Sequence, residues 1–180
     1  ESQIQMRKYN FPFNKIASAM ATHKSFVELV ASEKKPTFAS TGMTSLEDID
    51  KLVGIFKEHQ CDLMLMHTVS TYPSDEKDLN LKCINTLKNK YCLPVGYSGH
   101  EVTVSPSIIA ASLGAAAIER HITLDRAMYG SDQSASLQKS GLMQMCATLR
   151  KMPSVMGSSE KKVLDVELPI ANKLRYWAEE

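Results

Sequence analysis

Short apolar runs recur along the chain at 14–18 ("NKIAS"), 36–40 ("PTFAS"), 62–69 ("DLMLMHTV"), 93–98 ("LPVGYS") and 115–122 ("AAAIERHI"). Each has the length of a strand. Between them, longer amphipathic stretches predict helices over 23–34, 44–60, 78–91 and 105–114. In the second of these, Leu46, Ile49, Leu52, Val53 and Phe56 fall at helical spacing. Thr44 or Ser45 is placed to cap it, and Glu47 follows Thr44 at the distance a capping box requires. In the fourth, Pro106 sits early and Gly114 closes the helix, the usual polarity of the two residues.

Strands alternating with helices predict a parallel α/β sheet with right-handed crossovers. The rhythm suits a doubly wound sheet or a (β/α)8 TIM barrel. No G-x-G-x-x-G turn follows any strand, which gives a dinucleotide fold little support. All five strands end in polar residues: "KIAS", "ASTG", "HTVSTY", "YSGH" and "ERHIT". In a barrel such ends gather on one face, where active sites lie. A barrel needs eight βα units and five are legible, so the chain is expected to form the C-terminal five, with exposed sheet edges.

After residue 123 the pattern changes. "LDRAMYGSDQSASL" is polar and irregular, and long enough for a binding loop. A helix is predicted over 136–152, ended by Pro153, with the methionines from Met128 to Met156 mostly filling core. "GSSEKK" (157–162) is a linker, and a short helix starts near Pro169. Residues 1–157 are therefore expected to be a partial barrel domain, and 158–180 a C-terminal linker and short helix.

Composition narrows the partners. The chain has 180 residues, 43% of them hydrophobic, and a net charge of +1 with both signs mixed along it. That balance gives no reason to expect a nucleic acid or an anionic membrane. Cys61, Cys83, Cys92 and Cys146 form no C-x-x-C pair and fit no zinc module. They are expected to be reduced thiols of a cytoplasmic protein. No apolar run is long enough to span a membrane, and "ESQIQMRKYNF" has no signal-peptide core.

The chemistry lies at the strand ends. His100 and His121 follow successive strands, so they end on neighbouring positions of one rim. Two such imidazoles can share a divalent cation, or simply be two hydrogen-bonded histidines beside a loop. Glu119 points the same way as His121 by alternation and would orient a histidine or pair with an arginine; Arg120 points into the helix layer. Lys15 in an apolar strand calls for an anion. With Ser18, Ser40, Thr41 and Ser98 it makes a candidate phosphate cradle, although serines here can equally cap the following helices. Tyr72 and Asp132 are candidates to line the pocket, each weak alone.

Together, "NKIAS", "STGMTSLEDID", "LMHTVSTYP", "VGYSGHE", "LGAAAIERHITLD" and "GSDQSASL" resemble the sialic acid synthase family over about residues 10 to 150. The resemblance implies a (β/α)8 barrel that condenses phosphoenolpyruvate with an N-acetylated amino sugar, such as N-acetylmannosamine, and releases phosphate. It implies a divalent metal, Mn2+ or Mg2+, on His100 and His121, polarising the sugar aldehyde. It places phosphoenolpyruvate on Lys15, Ser18, Ser40, Ser70 and Ser98, and the sugar on Tyr72 and Asp132, with Lys15 and Tyr72 taking part in catalysis. It implies a homodimer.

The sequence departs from the family at points. "KIASAM" puts Met20 where many relatives carry a carboxylate, and Ser70 stands where some have asparagine. The first barrel strands and an antifreeze-like C-terminal domain are not seen. These departures keep two alternatives open: a non-catalytic barrel remnant that binds an anion or sugar, and another phosphoenolpyruvate-dependent 3-deoxy sugar acid synthase. "GSDQSASL" and "STGM" favour the sialic-type family over the latter.

Overall fold

The structure, a computed structural model, describes residues 1–175 and 177. The chain divides into two compact units, Glu1–Arg150 and Lys151–Glu180. In the first, strands β1 (Asn14–Ile16), β2 (Thr37–Ser40), β3 (Leu63–Thr68), β4 (Val95–Gly99) and β5 (Ile118–Arg120) pair in sequence order. Every pairing is parallel. Each step goes to the next strand on the same side, as in a barrel wall; a doubly wound sheet would reverse direction at a switch point.

The sheet is curled. Four strand spacings of about 4.8 Å would put the outer strands of a flat sheet roughly 19 Å apart. Yet Lys15 Nζ on β1 lies 3.5 Å from Glu119 Oε1 on β5. Two side chains cannot bridge that gap unless the sheet bends towards them. The fold is thus α/β, a five-stranded arc of a barrel wall.

Alternation then sorts the residues. Ile16, Ala39, Leu65, Val95 and Tyr97 are fully or almost fully buried on the outer face of the arc. They share one core with Val27 and Val30 of α2 (Lys24–Ser32), Ile49, Leu52, Val53 and Phe56 of α3 (Leu46–Glu58), and Ile84 and Leu87 of α4 (Cys83–Tyr91). A short helix, α1 (Ser2–Met6), precedes β1, and α5 (Ser105–Ser112) links β4 to β5. The same alternation turns Lys15, Ser40, Ser98 and Glu119 to the inner face.

Local rules set the helix ends. Ser45 caps α3, in a box with Asp48 rather than the Thr44–Glu47 pair expected from spacing. Gly114 closes the chain after α5 at a φ of +91°, which side chains rarely adopt. Other bounds also differ from expectation. β1 stops at Ile16, and Ser18–Met20 forms a 3-10 turn. β5 keeps only Ile118–Arg120 of the expected 115–122. α4 starts at Cys83, after a separate 3-10 turn at Glu76–Asp78.

The last long helix, α6, runs Lys139–Met156 with Pro153 inside it. A proline in a last turn removes one backbone bond, and here the helix continues past it. The methionines are not core filler: Met145 is buried, but Met128, Met143 and Met156 are exposed. The second unit carries α7 (Leu168–Leu174), with Pro169 in its first turn. All four cysteines are free thiols. Among the described residues no helix is long and apolar enough to cross a membrane.

The Ser45 cap generates a prediction. Ser45 Oγ accepts from Asp48 N, and an Asp48 carboxylate oxygen accepts from Ser45 N, both at 3.2 Å. Replacing Ser45 with alanine should cost about 1 kcal/mol. Urea unfolding should show a lower midpoint at unchanged slope; an unchanged midpoint would refute the cap's contribution.

Candidate functional site

A pocket opens at the C-terminal ends of the strands. It is lined by Lys15, Ala17, Ser18, Ser40, Tyr72, Ser98, His100, Glu119, Arg120 and His121. The structure therefore brings together most of the residues that strand-end reasoning selects.

One side of the pocket suits an anion. Lys15 Nζ donates to Ser40 Oγ at 2.8 Å and to the Ile16 carbonyl at 3.1 Å. Glu119 stands 3.5 Å from the same ammonium and accepts from Ser98 Oγ at 2.8 Å. Burial pulls the Lys15 pKa below its ordinary value, against the opposing pull of Glu119. Ser18 Oγ accepts from Gly42 N at 3.1 Å. Ser70 Oγ lies beside it: a Cβ added to Gly42 would come within 2.1 Å of Ser70 Oγ and 2.9 Å of Ser18 Oγ. That Ser70 hydroxyl is buried and has no hydrogen-bond partner among the described residues. Ser70 is not among the residues lining the pocket, but its unsatisfied hydroxyl stands beside Gly42 and Ser18, which does line it.

The other side carries the imidazoles. The register that sets Gly99 beside Arg120 puts His100 and His121 one step further on. Their ring centroids are 5.2 Å apart. His100 Nδ1 is 2.7 Å from the Val69 carbonyl, which can only accept, so the proton sits on Nδ1 and Nε2 keeps its lone pair. Burial depresses the His100 pKa, which favours that neutral form. His121 Nδ1 lies 3.5 Å from Asp132 Oδ2, which turns its Nε2 away from that carboxylate. Tyr72 lies against both rings, at 4.1 Å from His100 and 5.7 Å from His121.

Two Nε2 donors, each oriented through Nδ1 by an oxygen, suit a divalent cation. Among the described residues no group of three or more His, Cys, Asp or Glu is arranged as a metal cage. A cation held there would find two nitrogen atoms among the described residues, and water or substrate would have to supply the rest.

Some expectations are corrected. Thr41 does not join the anion side; its hydroxyl donates to the Met66 carbonyl at 3.1 Å, which turns it away from the pocket. Glu119 neither orients a histidine nor pairs with an arginine, because Lys15 and Ser98 hold it; Asp132 stands at His121 instead. Tyr72 lies in the loop beyond β3, not at the strand's end. Met20 packs against the hydrophobic core, so its position supplies no acid. Sequence reasoning missed Glu101 altogether. It is fully buried and pairs with Arg120, and the only signal was a carboxylate directly after a strand-end histidine.

The chain is similar to known proteins over most of its length. N,N'-diacetyllegionaminic acid synthase of Legionella pneumophila is 35% identical over 166 residues, covering 89% of this chain and 47% of that protein. Pseudaminic acid synthase of Campylobacter jejuni is 39% identical over 147 residues, covering 81% and 43%. The crystal structure of the N-acetylneuraminic acid synthetase of Leptospira borgpetersenii, in complex with citrate, superposes with a TM-score of 0.84 at 30% identity, covering 97% of this chain and 62% of that one. The chain spans about half the length of the curated relatives it matches. Residues 1–161 match the NeuB family, and the chain belongs to that family.

Proposed function

We propose that this chain forms the phosphoenolpyruvate and metal side of an active site that condenses phosphoenolpyruvate with an N-acetylated amino sugar. The products are a nonulosonic acid and phosphate. The observation that carries the reading is the division of one pocket: an ammonium with hydroxyls on one side, two adjacent imidazoles on the other.

Lys15, Ser18, Ser40, Ser70 and Ser98 would hold the phosphate and carboxylate oxygens of phosphoenolpyruvate. Tyr72 and Asp132 would meet the sugar. A divalent cation on His100 and His121, Mn2+ or Mg2+, would supply Lewis-acid polarisation of the sugar's aldehyde. The C3 carbon of phosphoenolpyruvate attacks that aldehyde carbon, and the new hydroxyl oxygen takes up a proton. Water adds at C2 and gives up both protons as the C2 ketone forms, one balancing the proton taken up by the new hydroxyl oxygen and one passing to the phosphate, which leaves with the C2–O electrons. Glu119 is the carboxylate lining the pocket, placed to take a proton from water. The enzyme would work as a homodimer in the cytoplasm.

Met20 favours a second reading, a barrel domain that binds the anion without turnover, because its packed thioether cannot transfer a proton. Phosphate release from phosphoenolpyruvate, measured with N-acetylmannosamine and diacetamido sugars, separates the two. Turnover with one of these sugars, abolished by chelation, is expected; saturable phosphoenolpyruvate binding with no release from any sugar would establish the second reading.

Variants sharpen the assignment. His100→Ala, His121→Ala and Lys15→Ala should each lower kcat/KM by about a hundredfold or more. Glu119→Gln should act in two directions. With the competing carboxylate removed, inorganic phosphate should bind a few-fold more tightly in calorimetry, while turnover falls. Weaker phosphate binding in this variant would mean that Glu119 does not compete for Lys15.

A further inference from the structure

Beside the two histidines in sequence lies a second ion pair, with both side chains buried. Arg120 Nη1 donates to Glu101 Oε1 at 2.8 Å, to the Thr103 carbonyl at 2.8 Å and to Ser107 Oγ at 3.1 Å. Arg120 Nη2 donates to the Glu101 carbonyl. Tyr97 Oη donates to the other carboxylate oxygen of Glu101 at 2.7 Å. The side chains of Arg120 and Glu101 are 1% and 0% exposed. Burial pushes the Tyr97 phenol pKa well up, which keeps it a donor to that carboxylate.

The placement of this pair in the sequence matters. Glu101 directly follows His100, and Arg120 directly precedes His121. The guanidinium thus holds the two rim segments together by both the side chain and the main chain of Glu101. Gly99 makes the arrangement possible. A Cβ there would stand 2.6 and 2.8 Å from the two Glu101 carboxylate oxygens and 2.8 Å from the Tyr97 ring.

We propose that Glu101 and Arg120 are positioning residues: a buried clamp that fixes the spacing and orientation of the His100 and His121 imidazoles, and so the affinity of the site for a divalent cation. The clamp rests on the metal reading of those histidines, but its effect on the rings exists without metal. Neither residue needs to touch substrate. The burial is costly for two charges; Nη1 and Nη2 of Arg120 and both Glu101 carboxylate oxygens are hydrogen-bonded, while Arg120 Nε has no partner among the described residues. Partners that orient ligating histidines from behind typically change metal affinity by about 10–100-fold when removed.

The test uses Glu101→Gln, Arg120→Met, Arg120→Lys, Gly99→Ala and the apolar double replacement Glu101→Leu/Arg120→Leu. The double variant leaves no unpaired buried charge, and Gly99→Ala removes no charge but displaces the carboxylate and the Tyr97 ring, so folded variants remain if a single charge deletion fails to fold. Circular dichroism selects those that fold. Two readouts follow: Mn2+ titration by electron paramagnetic resonance, and the nitrogen-15 spectra of the imidazoles without metal. The unaltered protein should show His100 as a single Nδ1–H tautomer. Folded variants should show averaged imidazole signals and at least tenfold weaker Mn2+ binding, with Arg120→Lys partly restored relative to Arg120→Met. Unchanged imidazole spectra in the folded variants would overturn the clamp. Failure of the unaltered protein to bind Mn2+ would sink the metal reading instead, and the imidazole spectra would still decide the clamp.

Discussion

Lys15 and Glu119 stand on the two outer strands of a five-stranded parallel sheet, yet their side chains meet at 3.5 Å. Everything in the pocket depends on the bend that permits this. Bending gives the sheet an inside and an outside, and period-two alternation then deals residues to each. Apolar ones such as Ile16, Leu65 and Val95 go outward to the helices, and Lys15, Ser40, Ser98 and Glu119 go inward. A flat sheet with the same sequence would leave the same charged groups too far apart to share a ligand.

The two ion pairs at the rim differ in kind. Arg120 and Glu101 are almost wholly buried and hydrogen-bonded through Nη1 and Nη2, and removing one partner of such a pair typically costs about 3–5 kcal/mol. Lys15 and Glu119 are 31% and 40% exposed and meet at the long end of the ion-pair range. Exposed pairs contribute about 0–1 kcal/mol, so this one can part when another anion arrives. A buried pair beside the histidines and a yielding pair within the pocket divide the labour: the first keeps a shape, the second makes room.

Much of this was legible in the sequence. Apolar runs flanked by amphipathic stretches gave the parallel α/β arrangement, and the polar strand ends named most of the pocket. Strand ends were the weak point. β1 gives way to a 3-10 turn after Ile16, which is why Lys15 and Ser18 both reach the pocket although alternation alone would part them. Thr41 shows the limit of reading a hydroxyl as a ligand contact, since a nearby backbone carbonyl claimed it. Glu101 and Arg120 could not be paired from the sequence, because their contact depends on the register of β4 and β5 and on the gap left by Gly99. The exposed methionines show that apolar composition without periodicity does not identify a core.

Strand pairing here joins only consecutive strands, so each strand and helix can dock on the unit before it at small loop-closure cost. The Lys15–Glu119 contact is different, because it joins the first strand to the last. It forms only once the intervening strands have assembled, late on the route to the folded state. Contacts made that late change how fast a protein unfolds more than how fast it folds. Substitutions inside the pocket therefore alter the lifetime of the assembled arc, while its rate of formation is governed by the helix–strand core behind it. The two properties can drift separately over evolution.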